Sequence, residues 1–282
     1  MKARRMLLVA LVTAVAVAAI GSCASKRARL GPASVVEPGQ SSAPPRDSAA
    51  SLGTVSAPAL RLELNVPAFR LDVFRDTHRV RSYTVAVGLP DDQTPRGDFE
   101  ISEVEWNPWW IPPKSDWAKN EKPEPPGPTN RVGRVKLRFL PLYLVHGTPF
   151  TETLGAARSR GCVRLSNRDA VDLALLVHEF ASPELSDARL ASVAADTATV
   201  LIPLAQPVSF AVRYELVEVF GDSAVFYPDV YEIGWPVVRK SVFTRLARAR
   251  VDTSALDEVA IQALTARARR GRAVVALTGL GR

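Results

Sequence analysis

Apolar and polar residues alternate with a period of two along much of the chain from residue 60 to residue 227, and this restricts the fold more than any other feature. Leu60, Leu62, Leu64 and Val66 are interleaved with Arg61, Glu63 and Asn65. Phe69, Leu71 and Val73 alternate with Arg70 and Asp72, Asp76-Thr77 can turn, and Tyr83, Val85 and Val87 resume the pattern. Successive side chains on a strand point to opposite faces, so such a run buries one face and wets the other. Val135, Leu137 and Phe139 repeat it before His146, and Val208, Phe210, Val212, Tyr214 and Leu216 form a long run that Gly221-Asp222 turns into Ala224–Tyr227. The pattern predicts a mainly antiparallel β core.

Helical spacing appears after residue 165. Ser166-Asn167-Arg168-Asp169 has the form of a capping box leading into Ala170–Phe180, and residues 184–195 suit a second short helix. From Ser241 onward, Val242, Leu246 and Val251, then Leu256, Val259, Ala260, Ala263 and Leu264 predict helices. Residues 107–130, NPWWIPPKSDWAKNEKPEPPGPTN, hold seven prolines, and four of the five tryptophans fall at 106, 109, 110 and 117. A structureless loop of this length inside a domain usually serves function. Trp109, Trp110 and Trp117 are therefore candidates for substrate contact, the alternative being that they staple the loop to the sheet. Neighbours such as Trp109 and Trp110 do not share one strand face.

The N-terminal residues have the layout of an export signal: Lys2, Arg4 and Arg5 precede the apolar run Met6–Ile20, which is shorter than the roughly 20 residues that span a bilayer. Ile20-Gly21-Ser22-Cys23 resembles the bacterial lipobox. That resemblance implies a diacylated Cys23 holding the protein to the periplasmic side of the outer or inner membrane; the alternative is a plain signal peptide with an incidental cysteine. Residues 24–58 are rich in Ala, Ser and Pro and read as a flexible tether. The net charge of +7 does not describe a nucleic-acid groove. Residues 1–22 carry +3, 23–58 carry +2, 59–240 carry −3 and 241–282 carry +5, so the excess sits at the ends. The arginines after 241 read as a solvated face, or as a contact for anionic lipid or wall polymer.

An exported protein that uses cysteines structurally usually shows an even set. With Cys23 lipidated, Cys162 is left alone, either a buried bystander or a working nucleophile. Its surroundings bear on the choice. Val145-His146-Gly147-Thr148-Pro149 ends an alternating strand, and Ser159-Arg160-Gly161-Cys162-Val163-Arg164-Leu165 precedes the capped helix. A thiol attacks as thiolate and needs a base or cation within reach, which histidine supplies near neutral pH. Gly161 permits close backbone approach, and the N–H groups of Gly161 and Cys162 form a candidate oxyanion cradle. His78 and His178 read as structural or solvated. No Gly-rich phosphate loop and no zinc-ligand spacing occurs, so neither metal nor cofactor is expected. A papain-like order is excluded, because here the histidine precedes the cysteine.

The HGT triplet at 146–148, followed at this distance by SRGCVRL at 159–165, resembles the active-site signature of the L,D-transpeptidases, the YkuD or ErfK family. Thr94–Ile101 is similar to the family's TPxGxF strand, the 107–118 stretch to a loop that overhangs the cysteine in one subgroup, and Pro207–Tyr231 to the strand pair that closes the domain. The resemblance covers about 59–235. It implies an antiparallel β-sandwich or barrel at 59–235 with one capped helix after the cysteine; with the readings above, the expected order is a signal peptide (1–22), a lipidated tether (23–58), this domain and a helical extension (236–282). It assigns Cys162 as nucleophile, His146 as base and the Gly147 carbonyl as orienting acceptor. Ser159, Arg160, Gly161 and Arg164 fall in the site loop. Arg160 stands where many relatives have a second histidine and is expected to favour the thiolate, while Arg164 either braces the loop, the reading preferred here, or meets a substrate carboxylate. The implied partners are peptidoglycan stem peptides, with a thioester formed at the third stem residue as D-Ala leaves; the acceptor is a stem amine, a protein amine or water. Carbapenems are the implied covalent inhibitors. A wall-binding lipoprotein without turnover is the non-enzymatic rival.

Overall fold

The computed structural model describes residues 60–254, 256–268 and 271–280. The expected export signal, Cys23 and the tether lie outside them. The first alternating runs become β1 (Leu60–Asn65), β2 (Arg70–Arg75) and β3 (His78–Thr84), an antiparallel meander in which Leu62 faces Val73 and Leu64 faces Leu71 in the fully buried core. A short β4 (Val87–Gly88) follows, then β5 (Gly97–Trp106), β6 (Val135–Leu140), β7 (Tyr143–Thr148), a short β8 (Ala157–Ser159) and β9 (Val163–Ser166). After helices α1 (Asn167–Ala181) and α2 (Asp187–Ala195), the chain re-enters the sheet as β10 (Val200–Arg213).

The main sheet has the order β3-β2-β1-β10-β5-β6-β7-β9. Its pairs are antiparallel except β1 with β10 and β7 with β9. The backbone just past β3 returns to the opposite edge, where the Ala86 N–H donates to the Arg164 carbonyl and the Arg164 N–H to the Ala86 carbonyl, both at 2.9 Å. β4 pairs with β8 beside this stitch. The sheet is thus a nearly closed barrel, which removes the hazard of two long open edges. Alternation places the returning strand from Val208 onward, yet β10 begins eight residues earlier and crosses Pro203 and Pro207. Proline has no N–H to donate, and the register against β5 shifts between Pro203 and Val208. That irregularity hides the first half of the strand from a periodicity reading.

α1 forms where the capping pattern predicts it: the Ser166 hydroxyl accepts from the Asp169 N–H at 3.0 Å. Ala170, Leu173, Ala174, Val177, His178 and Ala181 recur at helical spacing and are buried. The Leu173 side chain, with no exposed surface, contributes about 1.5–3 kcal/mol relative to an exposed one. The helix thereby packs on β7, β6 and β10 and supports the strand that carries His146.

A second core lies C-terminal to the barrel. β11 (Val217–Phe220), β12 (Ser223–Phe226) and β13 (Ala273–Ala276) form a three-stranded sheet covered by α3 (Val237–Arg248) and α4 (Glu258–Arg267). Leu216, Val217, Phe226, Val242, Leu246 and Ile261 fill it. The helices agree with the sequence pattern, whereas β13 departs from it, since AVVA is too short to separate from a helical tail by period. The hairpin within Pro207–Tyr231 pairs with β13 and packs in this core, where the family resemblance places a strand pair closing the catalytic domain. The two cores are joined by buried polar groups. Arg70 Nε lies 2.8 Å from Asp72 and Nη2 2.9 Å from Glu218, while Asn65 Nδ2 donates to Glu218 at 2.7 Å and the Tyr227 hydroxyl to the same carboxylate at 3.0 Å.

Candidate active site

The parallel pairing of β7 with β9 brings the two chemical segments together. Its register sets Val145 opposite Val163 and His146 opposite Arg164. Cys162 immediately precedes β9, so the same pairing brings its turn to the end of the strand that carries His146. The imidazole is buried, and its Nδ1 lies 2.7 Å from the Gly147 carbonyl oxygen. A carbonyl oxygen only accepts, so Nδ1 carries the proton and Nε2 presents its lone pair. Burial lowers the His146 pKa to about 4; the Gly147 carbonyl opposes this, and the nearby Arg164 and Lys136 cations add to it. Gly147 is wedged under α1, where an added Cβ would lie 2.5 Å from the Asn167 Oδ1. The same Oδ1 accepts from the Arg134 N–H at 3.1 Å.

Cys162 is half-buried, with Sγ 3.8 Å from the Leu142 carbonyl oxygen. Burial raises its pKa, while the Leu144 backbone and the Arg164 and Arg138 cations oppose that rise. A raised thiol beside a lowered imidazole means that both groups rest uncharged at neutral pH. The turn that presents the thiol is cinched by Ser159, whose buried hydroxyl donates to the Cys162 carbonyl at 2.5 Å and accepts from the Gly161 N–H at 3.1 Å. Gly161 has φ +93°, and an added Cβ would sit 2.5 Å from the Tyr143 ring and 3.2 Å from the Gln93 carbonyl. Only glycine fits such a turn without strain.

Residues 60–197 match the family model described as the L,D-transpeptidase catalytic domain, YkuD.

Residues 60–197 belong to the L,D-transpeptidase family.

This L,D-transpeptidase domain is 35% identical over 99 residues to a protein of Fuscovulum blasticum assigned to the L,D-transpeptidases in the ATP synthase subunits region, covering 34% of this chain and 51% of that one. It is 32% identical over 118 residues to YkuD of Bacillus licheniformis, assigned likewise, covering 42% and 59%. The chain thus spans between half and three-fifths of the length of these relatives. Among solved structures, the catalytic domain from the E. faecium L,D-transpeptidase matches with a TM-score of 0.37 at 12% identity, over 55% of this chain and 96% of that one.

The candidate site differs from its sequence-based expectation in several places. The Gly161 N–H is taken by Ser159, so the two successive donors expected for an oxyanion reduce to that of Cys162. Arg160 turns away from the thiol: it pairs with Asp92 at 2.6 Å and lies 5.2 Å from the ring centroid of Trp117. The cations acting on Cys162 are Arg164 and Arg138 instead. Bracing at 164 comes from the backbone exchange with Ala86, whereas Arg164 Nε is buried without a hydrogen-bond partner among the described residues. Burial lowers its pKa.

The loop tryptophans divide by role. Trp110 is buried, exchanges backbone hydrogen bonds with Glu124 and lies under the Arg131 guanidinium at 3.8 Å, which makes it a staple. Trp109 and Trp117 stay exposed at 46% and 42%, available to a ligand. His178 is structural: it is fully buried, and its Nε2 accepts from Trp106 at 3.1 Å. His78 is exposed on β3.

Sequence reasoning missed Tyr143, Asp92 and Tyr231. Tyr231 is buried; its hydroxyl accepts from the Thr94 N–H at 3.0 Å, steadying the 89–96 segment beside Gly161. No local signal marks these three, since their roles arise from chain crossings. Among the described residues, no group of three or more His, Cys, Asp or Glu side chains converges as a metal site.

Proposed function

We propose that the chain is a cysteine L,D-transpeptidase acting on peptidoglycan stem peptides. The observation that carries this reading is the His146 Nδ1 contact with the Gly147 carbonyl, because it leaves Nε2 available as a base on the strand that pairs with the one Cys162 leads into. With both groups uncharged at rest, His146 Nε2 takes the thiol proton as Sγ bonds to the carbonyl carbon of the third stem residue. The oxyanion is met by the Cys162 N–H, a donor type worth about 2.7–4 kcal/mol in the transition state. The tetrahedral adduct collapses to the thioester, and His146 returns the proton to the departing D-Ala amine. An acceptor amine then loses its proton to His146, attacks the thioester and releases the thiol. Arg164, with Nε unpaired, is suited to a carboxylate of the stem.

Intact-mass labelling tests the nucleophile: a carbapenem is expected to acylate the wild-type protein once, at Cys162. Cys162→Ala abolishes both this adduct and D-Ala release from a tetrapeptide while the melting temperature is kept. Retained turnover in that variant overturns the mechanism. His146→Ala loses about 10²–10⁴-fold in rate, whereas His78→Ala changes it little. Product analysis distinguishes stem amine, protein amine and water as acceptors.

Export and diacylation at Cys23 would keep this activity at the cell envelope. Two acyl chains hold stably where one is marginal. Cys23→Ser is therefore expected to move the protein out of the membrane fraction without impairing catalysis; persistence in that fraction after signal cleavage would place the anchor elsewhere.

A further inference from the structure

The exposed loop between Trp110 and Asn130 is firmly held at its base. Asn130 Nδ2 donates to the carbonyls of Pro108, Glu124 and Pro125, and Arg131 pairs with Glu121 and Glu124. Its tip is held differently. Residues 115–121 make mostly local hydrogen bonds, from Ala118 N–H to Ser115 and from Glu121 N–H to Ala118, and Ala118 is buried. Trp117 at this tip reaches across to the Arg160 guanidinium. Arg160 stands two residues before Cys162, and the same guanidinium holds Asp92, one residue before the Gln93 carbonyl that closes on Gly161. Three segments far apart in sequence thus converge on one planar cation at the rim of the nucleophile's turn.

We propose that Arg160 is a positioning residue, a clasp that fastens the tip of the proline-rich loop to the catalytic turn and so sets the groove in which an extended stem peptide lies beside Cys162. An arginine suits this task because its planar fork can hydrogen-bond a carboxylate at its edge while its face meets an indole. Both contacts are partly solvated, so each is modest, and together they bias the loop by about 3- to 10-fold toward the fastened position. A small electrophile needs only the thiol and is indifferent to the clasp. A peptide that contacts Trp109 and Trp117 along its length depends on it.

The test compares wild type, Arg160→Ala, Trp117→Leu and the double variant as full-length protein. Hydrogen exchange of amides 111–121 is expected to quicken by about 3- to 10-fold in either single variant and no further in the double, because one contact has been removed twice. KM for a tetrapeptide donor rises by a similar factor with kcat within about twofold, and alkylation of Cys162 by iodoacetamide, read by peptide mapping, keeps its rate. Arg160→Lys, which retains charge but not the planar face, falls between. Unchanged exchange at 111–121, or effects of the two substitutions that multiply, overturns the clasp. The KM arm rests on the transpeptidase reading, whereas the exchange arm does not: loss of peptide turnover in wild type with the exchange pattern intact would refute the reading and keep the clasp.

Discussion

At the scale of single residues, two histidines are held neutral by burial, and this couples stability to pH. His146 and His178 each have a folded pKa of about 4 against an ordinary 6.5, burial being the main cause in both. Below pH 6.5 the unfolded chain therefore binds protons that the folded chain refuses. Their contribution is complete above pH 6.5 and is lost as pH falls toward 4, on the order of 3 kcal/mol for each at the limit. Urea midpoints should accordingly fall between pH 6.5 and 4.5. His178→Gln, which keeps an acceptor for Trp106, should flatten that slope without altering the rate at pH 7; an unchanged slope would assign the acid sensitivity to other groups. The acidic limb of kcat/KM is likewise expected well below pH 6.5. Arg164→Gln removes a cation that depresses His146 and should move the limb upward.

At the scale of the element, the turn from Ser159 to Cys162 presents the nucleophile through backbone geometry more than through charge. Gly161→Ala places a methyl against the Tyr143 ring and forces an L-residue to φ +93°. About 1–3 kcal/mol of strain is expected, together with a loss of activity larger than the loss of stability implies, because the turn that presents the thiol is displaced. Removing the ring as well, with Tyr143→Ala, should recover only part of the stability, since the dihedral strain persists. Full recovery, measured by denaturant titration, would mean that the clash alone matters.

For the molecule as a whole, the barrel and the C-terminal core are joined by a charged cluster that is largely dry. Arg70 is the cation between Asp72 and Glu218, both nearly inaccessible. Arg70→Ala leaves Glu218 buried without a cation and Asp72 with Arg79 alone, 3.6 Å away, and should cost about 3 kcal/mol. Replacing a buried pair with apolar groups of similar volume is often nearly neutral, so Arg70→Met combined with Glu218→Leu should restore much of this. Calorimetry on both variants checks the contrast; equal losses would show that packing, not uncompensated charge, sets the cost. Tyr231 carries the connection onward, since its N–H donates to the Tyr214 hydroxyl at 2.8 Å and its own hydroxyl holds Thr94 near the catalytic turn.

The β1–β3 meander, the apolar faces of β6 and β10 and the Ser166 cap were all legible in the chain. Each is encoded locally, by which residue follows which. The first half of β10 was not, because its prolines break the alternation while a distant strand still supplies pairing. Nor were the capture of the Gly161 N–H by a neighbouring hydroxyl, the unpaired Nε of Arg164, or the turn of Arg160 toward Asp92, 68 residues away. Alternation states which face of a segment is buried, but it carries no record of the group that will stand opposite. The residue types and spacing of the candidate chemistry were therefore set by the sequence alone; which donors remain free, and which cation faces the thiol, was decided only when β7, β9 and the loops at 89–96 and 107–130 met in space.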